Sequence, residues 1–173
     1  MSIIVKKFGG TSVATPEKIK SAAKIVANAK QNGDDVVVVI SAMGNTTDVL
    51  ASHIAQFDVN QESAKRERDA VLATGEQVSA GLMSLALQEL GFKARSLCGW
   101  QIPIITNEVH ENAKVVGIDN ARLKAMLKDD VIPVITGFQG INNGNITTLG
   151  RGGSDTSACA VANALGADQC LIY

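Results

Sequence analysis

Short apolar runs alternate along the chain with longer stretches in which apolar residues recur every three or four positions. Ile3-Ile4-Val5 reads as a buried strand running into Lys7-Phe8-Gly9-Gly10-Thr11-Ser12. Thr15-Pro16-Glu17 then supplies an N-cap, a first-turn proline and an acidic first turn. The helix it opens carries Ile19, Ala22, Ala23, Val26 and Ala27 on one face and is expected to end near Gly33. Residues 36–40 form an unbroken apolar run, the pattern of a parallel strand covered on both faces. Ser41-Ala42-Met43-Gly44-Asn45 is a turn, followed by a helix over about 48–57 and a polar loop at 58–63. A long helical pattern spans about 64–90, broken by Gly75 and Gly81 and closed by Gly91. Residues 93–97 and 103–106 are strand-like, and 107–117 is left open between hairpin and loop. Asp119 reads as the N-cap of a helix to Leu127, and 131–138 as a second strongly buried strand. Asn142-Asn143-Gly144-Asn145 signals a hairpin turn into 146–149. Ser154 or Asp155 is expected to cap an alanine-rich helix to Leu165, closed by Gly166, before a further strand at 170–173. Strands alternating with helices indicate an α/β protein with a mainly parallel sheet. No repeat or linker divides it.

Composition narrows the class. A length of 173 residues suits one domain and is enough to bury a core. The apolar 46% includes only six aromatics and is mostly 22 Ala, 17 Val and 15 Ile, which excludes disorder, collagen and coiled coil. A net charge of −1 excludes a global field for nucleic acid or an anionic membrane. The longest apolar runs are about five residues, short of a membrane span, and no basic and apolar leader opens the chain, so a cytoplasmic protein is expected. The sequence stops at Leu171-Ile172-Tyr173, within an apolar run.

Candidate chemistry lies in three glycine-containing loops, at 9–12, 41–47 and 150–155, each between a strand and a helix. In an open α/β sheet such loops gather at the carboxyl ends of the strands, where ligands bind. Neither the Walker A pattern nor GxGxxG is present. One such loop alone reads as a tight turn, but three together shift the balance toward phosphate. Lys7 ends a strand and taken alone reads as a solvated strand end, but beside Gly9-Gly10 it fits a lysine that neutralises phosphoryl oxygens; Lys6 points to the other face and reads as a solvated edge charge. Arg151 on its glycine loop suits bidentate capture of a carboxylate or phosphate. Asp155 reads as an N-cap on base rate and faces a cleft only if Ser154 takes the cap. Glu76, in the apolar stretch around Val71, Leu72, Val78 and Leu82, is read equally as an exposed helix residue or as a desolvated carboxylate awaiting a cation such as an α-amino group.

Other residues carry less. His53 and His110 read as surface or loop residues, and Trp100 as packing. Cys98, Cys159 and Cys170 form no CxxC and read as reduced core thiols. Lys65-Arg66-Glu67-Arg68-Asp69 alternates in sign and reads as a solvated helix face.

Taken together, Lys7-Phe8-Gly9-Gly10-Thr11-Ser12, Ser41-Ala42-Met43-Gly44-Asn45-Thr46-Thr47-Asp48, Thr74-Gly75-Glu76 and Leu149-Gly150-Arg151-Gly152-Gly153-Ser154-Asp155 resemble the signatures of aspartate kinases, a branch of the amino-acid kinase superfamily. The motifs occur in order across nearly the whole chain. Acetylglutamate, glutamate 5- and UMP kinases share the glycine-rich opening but not the arginine-containing loop ending in Ser-Asp.

The resemblance implies a three-layer α/β/α sandwich and ATP-dependent phosphorylation of the L-aspartate β-carboxylate to 4-phospho-L-aspartate, the first step toward lysine, threonine and methionine. By motif position, Lys7 and Asp155 would be catalytic, with Asp155 orienting Lys7. Lys7, Phe8, Gly9, Gly10, Ser41 and Gly44 would bind the phosphates of ATP. Thr47, Glu76, Arg151, Gly152, Gly153 and Ser154 would hold aspartate, Glu76 taking the amino group and Arg151 a carboxylate. Mg²⁺ would come in on the nucleotide phosphates, with no metal site of the protein's own. A homo-oligomer is expected. Residues 1–173 would be the aspartate- and phosphate-binding portion of the kinase domain, cut at its C-terminus, without the nucleotide half and the regulatory domains. Two alternatives stay open: another kinase of the superfamily, or a non-catalytic anion-binding or oligomerising fragment.

Overall fold

The computed structural model describes residues 2–173. Its centre is a five-stranded, wholly parallel sheet in the order β3-β6-β2-β1-β9. The strands are β1 (Ile3–Phe8), β2 (Asp35–Ile40), β3 (Ala94–Leu97), β6 (Ile132–Thr136) and β9 (Gln169–Ile172). In β2, Val36, Val38 and Ile40 face one core while Val37 and Val39 face the other. That alternation of fully apolar positions is why the strand reads as a continuous run. Helices α1 (Pro16–Gln31) and α4 (Thr74–Glu89) cover the first face; α5 (Ala121–Lys128) and α6 (Gly153–Leu165) cover the second. The expected three-layer α/β/α arrangement is therefore present.

A second, four-stranded sheet was not foreseen. It joins β4 (Ile104–Thr106), β5 (Val115–Ile118), β7 (Gln139–Asn142) and β8 (Asn145–Thr148) in the order β5-β4-β7-β8, and is antiparallel except between β4 and β7. The open segment 107–117 is thus a hairpin loop plus β5. The β7–β8 turn follows its Asn-Gly signal, with Asn143 at φ 46° and Gly144 at φ 79°.

Local readings are corrected at four places. Helix α2 (Thr46–Ile54) begins and ends earlier than 48–57, and Phe57 lies beyond it, 72% exposed. The 64–90 pattern divides into α3 (Glu62–Leu72) and α4 at Ala73, whose carbonyl is taken by the buried Gln139 amide, while Gly75 and Gly81 sit inside α4. Together Glu62–Glu89 is long and apolar enough to cross a membrane by length and composition, but half of that window is buried within the fold. Asn120, not Asp119, is the N-cap of α5, with Asp119 Oδ1 accepting the Ala121 amide. Neither Ser154 nor Asp155 caps α6; its N-cap is Gly152, in the left-handed region.

Candidate active site

Because β1, β2 and β6 are parallel, the segments that follow them emerge at one end of the sheet. The loop after β1 docks on the loop after β2 through Gly44 N–H to Gly10 O, at 3.0 Å. The loop after β6 joins β2 through Gly137 N–H to Ile40 O, at 2.9 Å. The start of α6 closes the group, its Ser154 hydroxyl 2.7 Å from that of Ser41. Between these segments lies a cavity of about 270 Å³.

Nine of the expected residues line it: Gly10, Ser41, Gly44, Thr47, Glu76, Arg151, Gly152, Gly153 and Ser154. Ala42 and Gly150, which lie in the expected loops but were given no role, line it as well, as does Phe138 from outside them. Lys7, Phe8, Gly9 and Asp155 stand off the cavity wall. Phe8 is buried and stacks on Tyr173, ring centroids 5.0 Å apart, and its carbonyl accepts the Ser41 amide at 3.0 Å. The Gly9 amide is spent on the Tyr173 carbonyl, at 3.0 Å. A larger groove of about 630 Å³ between α2 and α3 is mainly apolar and holds none of the candidate residues.

Lys7 shares a strand face with Val5 and is buried, at 7% exposure. Its Nζ meets Asp155 Oδ1 at 2.6 Å, an ion pair without the geometry of a directed hydrogen bond. The alternative reading of Lys7 as a solvated strand end therefore fails. So does that of Lys6, which is also buried, its Nζ 2.9 Å from the Tyr173 hydroxyl and over that ring.

Glu76 resolves its open choice toward burial, with 3% exposure. Gly75 makes this possible: a Cβ there would lie 2.9 Å from the Ala42 Cβ, so glycine lets the first turn of α4 press against the β2 loop. Glu76 Oε1 accepts the Ala42 amide at 3.1 Å, and Oε2 has no hydrogen-bond partner. Burial pushes its pKa up to about 7, only partly opposed by the backbone hydrogen bonds it accepts. Arg151 is exposed at the cavity rim and makes no ion pair among the described residues. One wall thus holds an unsatisfied carboxylate and another an unpaired guanidinium.

The geometry can be set beside known proteins. The family model for the amino acid kinase family matches residues 2–173. The chain belongs to that family. Over its whole length it is 51% identical to the aspartokinase of Geobacillus stearothermophilus and to aspartokinase 2 of Bacillus subtilis. It spans 42% of the length of each of these curated relatives. Aspartate kinase from Synechocystis superposes with a TM-score of 0.81 at 48% identity, over 98% of this chain and 28% of that one. Aspartokinase III of E. coli in complex with aspartate and ADP gives 0.82 at 24% identity, over 99% and 48%, a likeness of fold. An isopentenyl phosphate kinase shares the fold at 0.72 and 16% identity, over 98% and 72%.

Other parts of the chain correct the sequence reading. Asp69 does not belong to a solvated face; it is fully buried. His110 is its partner, Nδ1 to Oδ2 at 2.6 Å, rather than a free loop residue. Cys98 and Cys170 are half-buried thiols but Cys159 is exposed. Among residues missed at the site, Ala42 carries no side-chain signal, since its amide does the work. Phe138 had one: Gly137-Phe138 follows a buried strand as the other site loops do. Its φ of 69° is held by Phe138 N–H to Ser157 Oγ, at 3.0 Å.

Proposed function

We propose that residues 1–173 form the aspartate- and phosphate-binding portion of an aspartate kinase, which transfers the γ-phosphoryl group of ATP to the β-carboxylate of L-aspartate. The observation that carries this reading is Glu76 Oε2, buried and unpartnered in the cavity that Arg151 rims. A small zwitterion answers both needs: its ammonium completes Glu76, and a carboxylate meets Arg151. The acceptor carboxylate is already ionised at neutral pH, so no strong general base is required. The demand is charge neutralisation and in-line placement of two anions. Lys7 suits the first task, and Asp155 holds its ammonium in place. Ser41 and Ser154, joined across the cavity, fix the two loops that would flank the transferring group.

ATP as phosphoryl donor is part of the same proposal, supported by family membership and by the ADP in the E. coli aspartokinase III complex. Among the described residues no group of three or more His, Cys, Asp or Glu could hold a metal ion. Mg²⁺ would come in on the nucleotide phosphates and supply charge neutralisation there. A cytoplasmic location and a homo-oligomer belong to this proposal as well.

Calorimetry tests it. The chain should bind L-aspartate, and Glu76→Gln should weaken that binding. N-acetylglutamate, whose amino group is blocked, and UMP should bind more weakly than aspartate. A preference for either over aspartate would move the chain to another branch of the family.

A further inference from the structure

Arg151 makes no contact that fixes it, so its position depends on the backbone of the glycine loop. The loop is held on the cavity side by Ser154 on Ser41 and by Leu149 N–H to Phe138 O, and on its outer side by a second set of contacts. Gly150 is pressed against residues 111–112: a Cβ there would lie 2.9 Å from Asn112 Oδ1 and 3.4 Å from the Glu111 carbonyl. Glu111 itself is in the left-handed region, at φ 63°, which costs a non-glycine residue on the order of 1 kcal/mol and persists only where neighbours impose it.

The neighbour is Asp69 on α3. Its carboxylate accepts the Glu111 amide with both oxygens, at 3.1 and 3.2 Å. Oδ2 also takes His110 Nδ1, and because a carboxylate accepts, that nitrogen carries the hydrogen. Oδ1 takes the Thr148 hydroxyl at 2.5 Å, and Thr148 lies on β8, the strand that leads into the loop. The two anchored pieces are tied to each other through Ala113 N–H to Thr148 O, at 2.8 Å. One buried carboxylate thereby fixes both the strand that enters the Arg151 loop and the segment against which Gly150 rests. Neither Asp69 nor His110 lines the cavity.

We infer that Asp69, with His110, is a positioning residue for Arg151: it holds Glu111 left-handed and so sets the guanidinium over the acceptor site. This deepens the aspartate-kinase proposal and rests on it for the identity of the ligand.

Hydrogen exchange and calorimetry on the chain, with L-aspartate as probe, test the inference in His110→Ala and Asp69→Asn. Amides of 149–154 should exchange about tenfold faster while those of β2 keep their protection. The Kd for aspartate should rise about 10- to 100-fold, the usual consequence of displacing a substrate-holding group by about an ångström. Glu111→Gly in the Asp69→Asn background should recover part of both, since glycine adopts the left-handed turn without being held. Faster exchange confined to 107–114, an equal loss across the whole core in His110→Ala, or no recovery with Glu111→Gly would each overturn it. If the unsubstituted chain binds no aspartate, the aspartate-kinase reading fails, and exchange at 149–154 still decides whether Asp69 governs the loop.

Discussion

Asp69 and Glu76 are two carboxylates on one almost continuous helical stretch, both withdrawn from water and resolved in opposite ways. Asp69, at the end of α3, is met by a histidine, a backbone amide and a threonine hydroxyl, so its burial is compensated on both oxygens. Glu76, in the first turn of α4, has one backbone amide on Oε1 and nothing on Oε2. The first arrangement is complete and joins three segments of the chain. The second is incomplete, and burial leaves its pKa near 7. A satisfied buried charge marks structure, whereas an unsatisfied one facing a cavity marks a place kept for a ligand.

The comparison predicts opposite responses, beginning with the largest. Asp69→Ala should cost about 3–5 kcal/mol in denaturant unfolding, because it orphans the His110 ring, the Glu111 amide and the Thr148 hydroxyl together. A loss below about 1 kcal/mol would show that the cluster is dispensable. Glu76→Gln should weaken aspartate binding by roughly 2–3 kcal/mol, about 30- to 150-fold in Kd, as the charge-assisted bond to the ammonium disappears. Unchanged calorimetric affinity would place the amino group elsewhere.

The same Glu76→Gln substitution should stabilise the ligand-free protein. The folded carboxyl keeps its proton up to about pH 7, whereas the unfolded one releases it near 4.5. The penalty is therefore absent below pH 4.5, grows between these values, and is complete above pH 7. Thermal unfolding at pH 8 should show a gain of roughly 1–3 kcal/mol that disappears at pH 4. A gain independent of pH would exclude desolvation of the carboxylate as its origin. Aspartate should also bind about tenfold more tightly at pH 8 than at pH 6, with proton release at pH 7, because only the ionised Glu76 receives an ammonium. Flat affinity across that range would contradict the role.

What was legible in the sequence followed the range of the forces involved. The β2 run, the Thr15-Pro16 helix start and the Asn143-Gly144 turn depend on neighbours along the chain, and each folds as its residues indicate. The glycine loops were legible as well, because a parallel sheet must gather them at one end. Asp69 was misread because its partners come from residues 110, 111 and 148, which no local window contains. Lys6 was misread for the same reason: alternation correctly places it opposite Lys7, but the phenol that receives it belongs to Tyr173, just after β9. Residues 154 and 155 obeyed neither capping expectation, since Gly152 took the cap and tertiary partners, Ser41 and Lys7, claimed both side chains.

By itself the sequence determined the α/β class, the parallel strands and the candidate residues for a phosphate and an amino acid. Those properties follow from periodicity, backbone preference and the charge carried by individual side chains. Only the tertiary structure decided which of those charges are spent. Lys7 is paired with Asp155, Asp69 is satisfied from three directions, and Glu76 is left with one oxygen unmet. The cost of a buried charge depends on the donors that reach it in space, and that inventory exists only once distant segments have packed together.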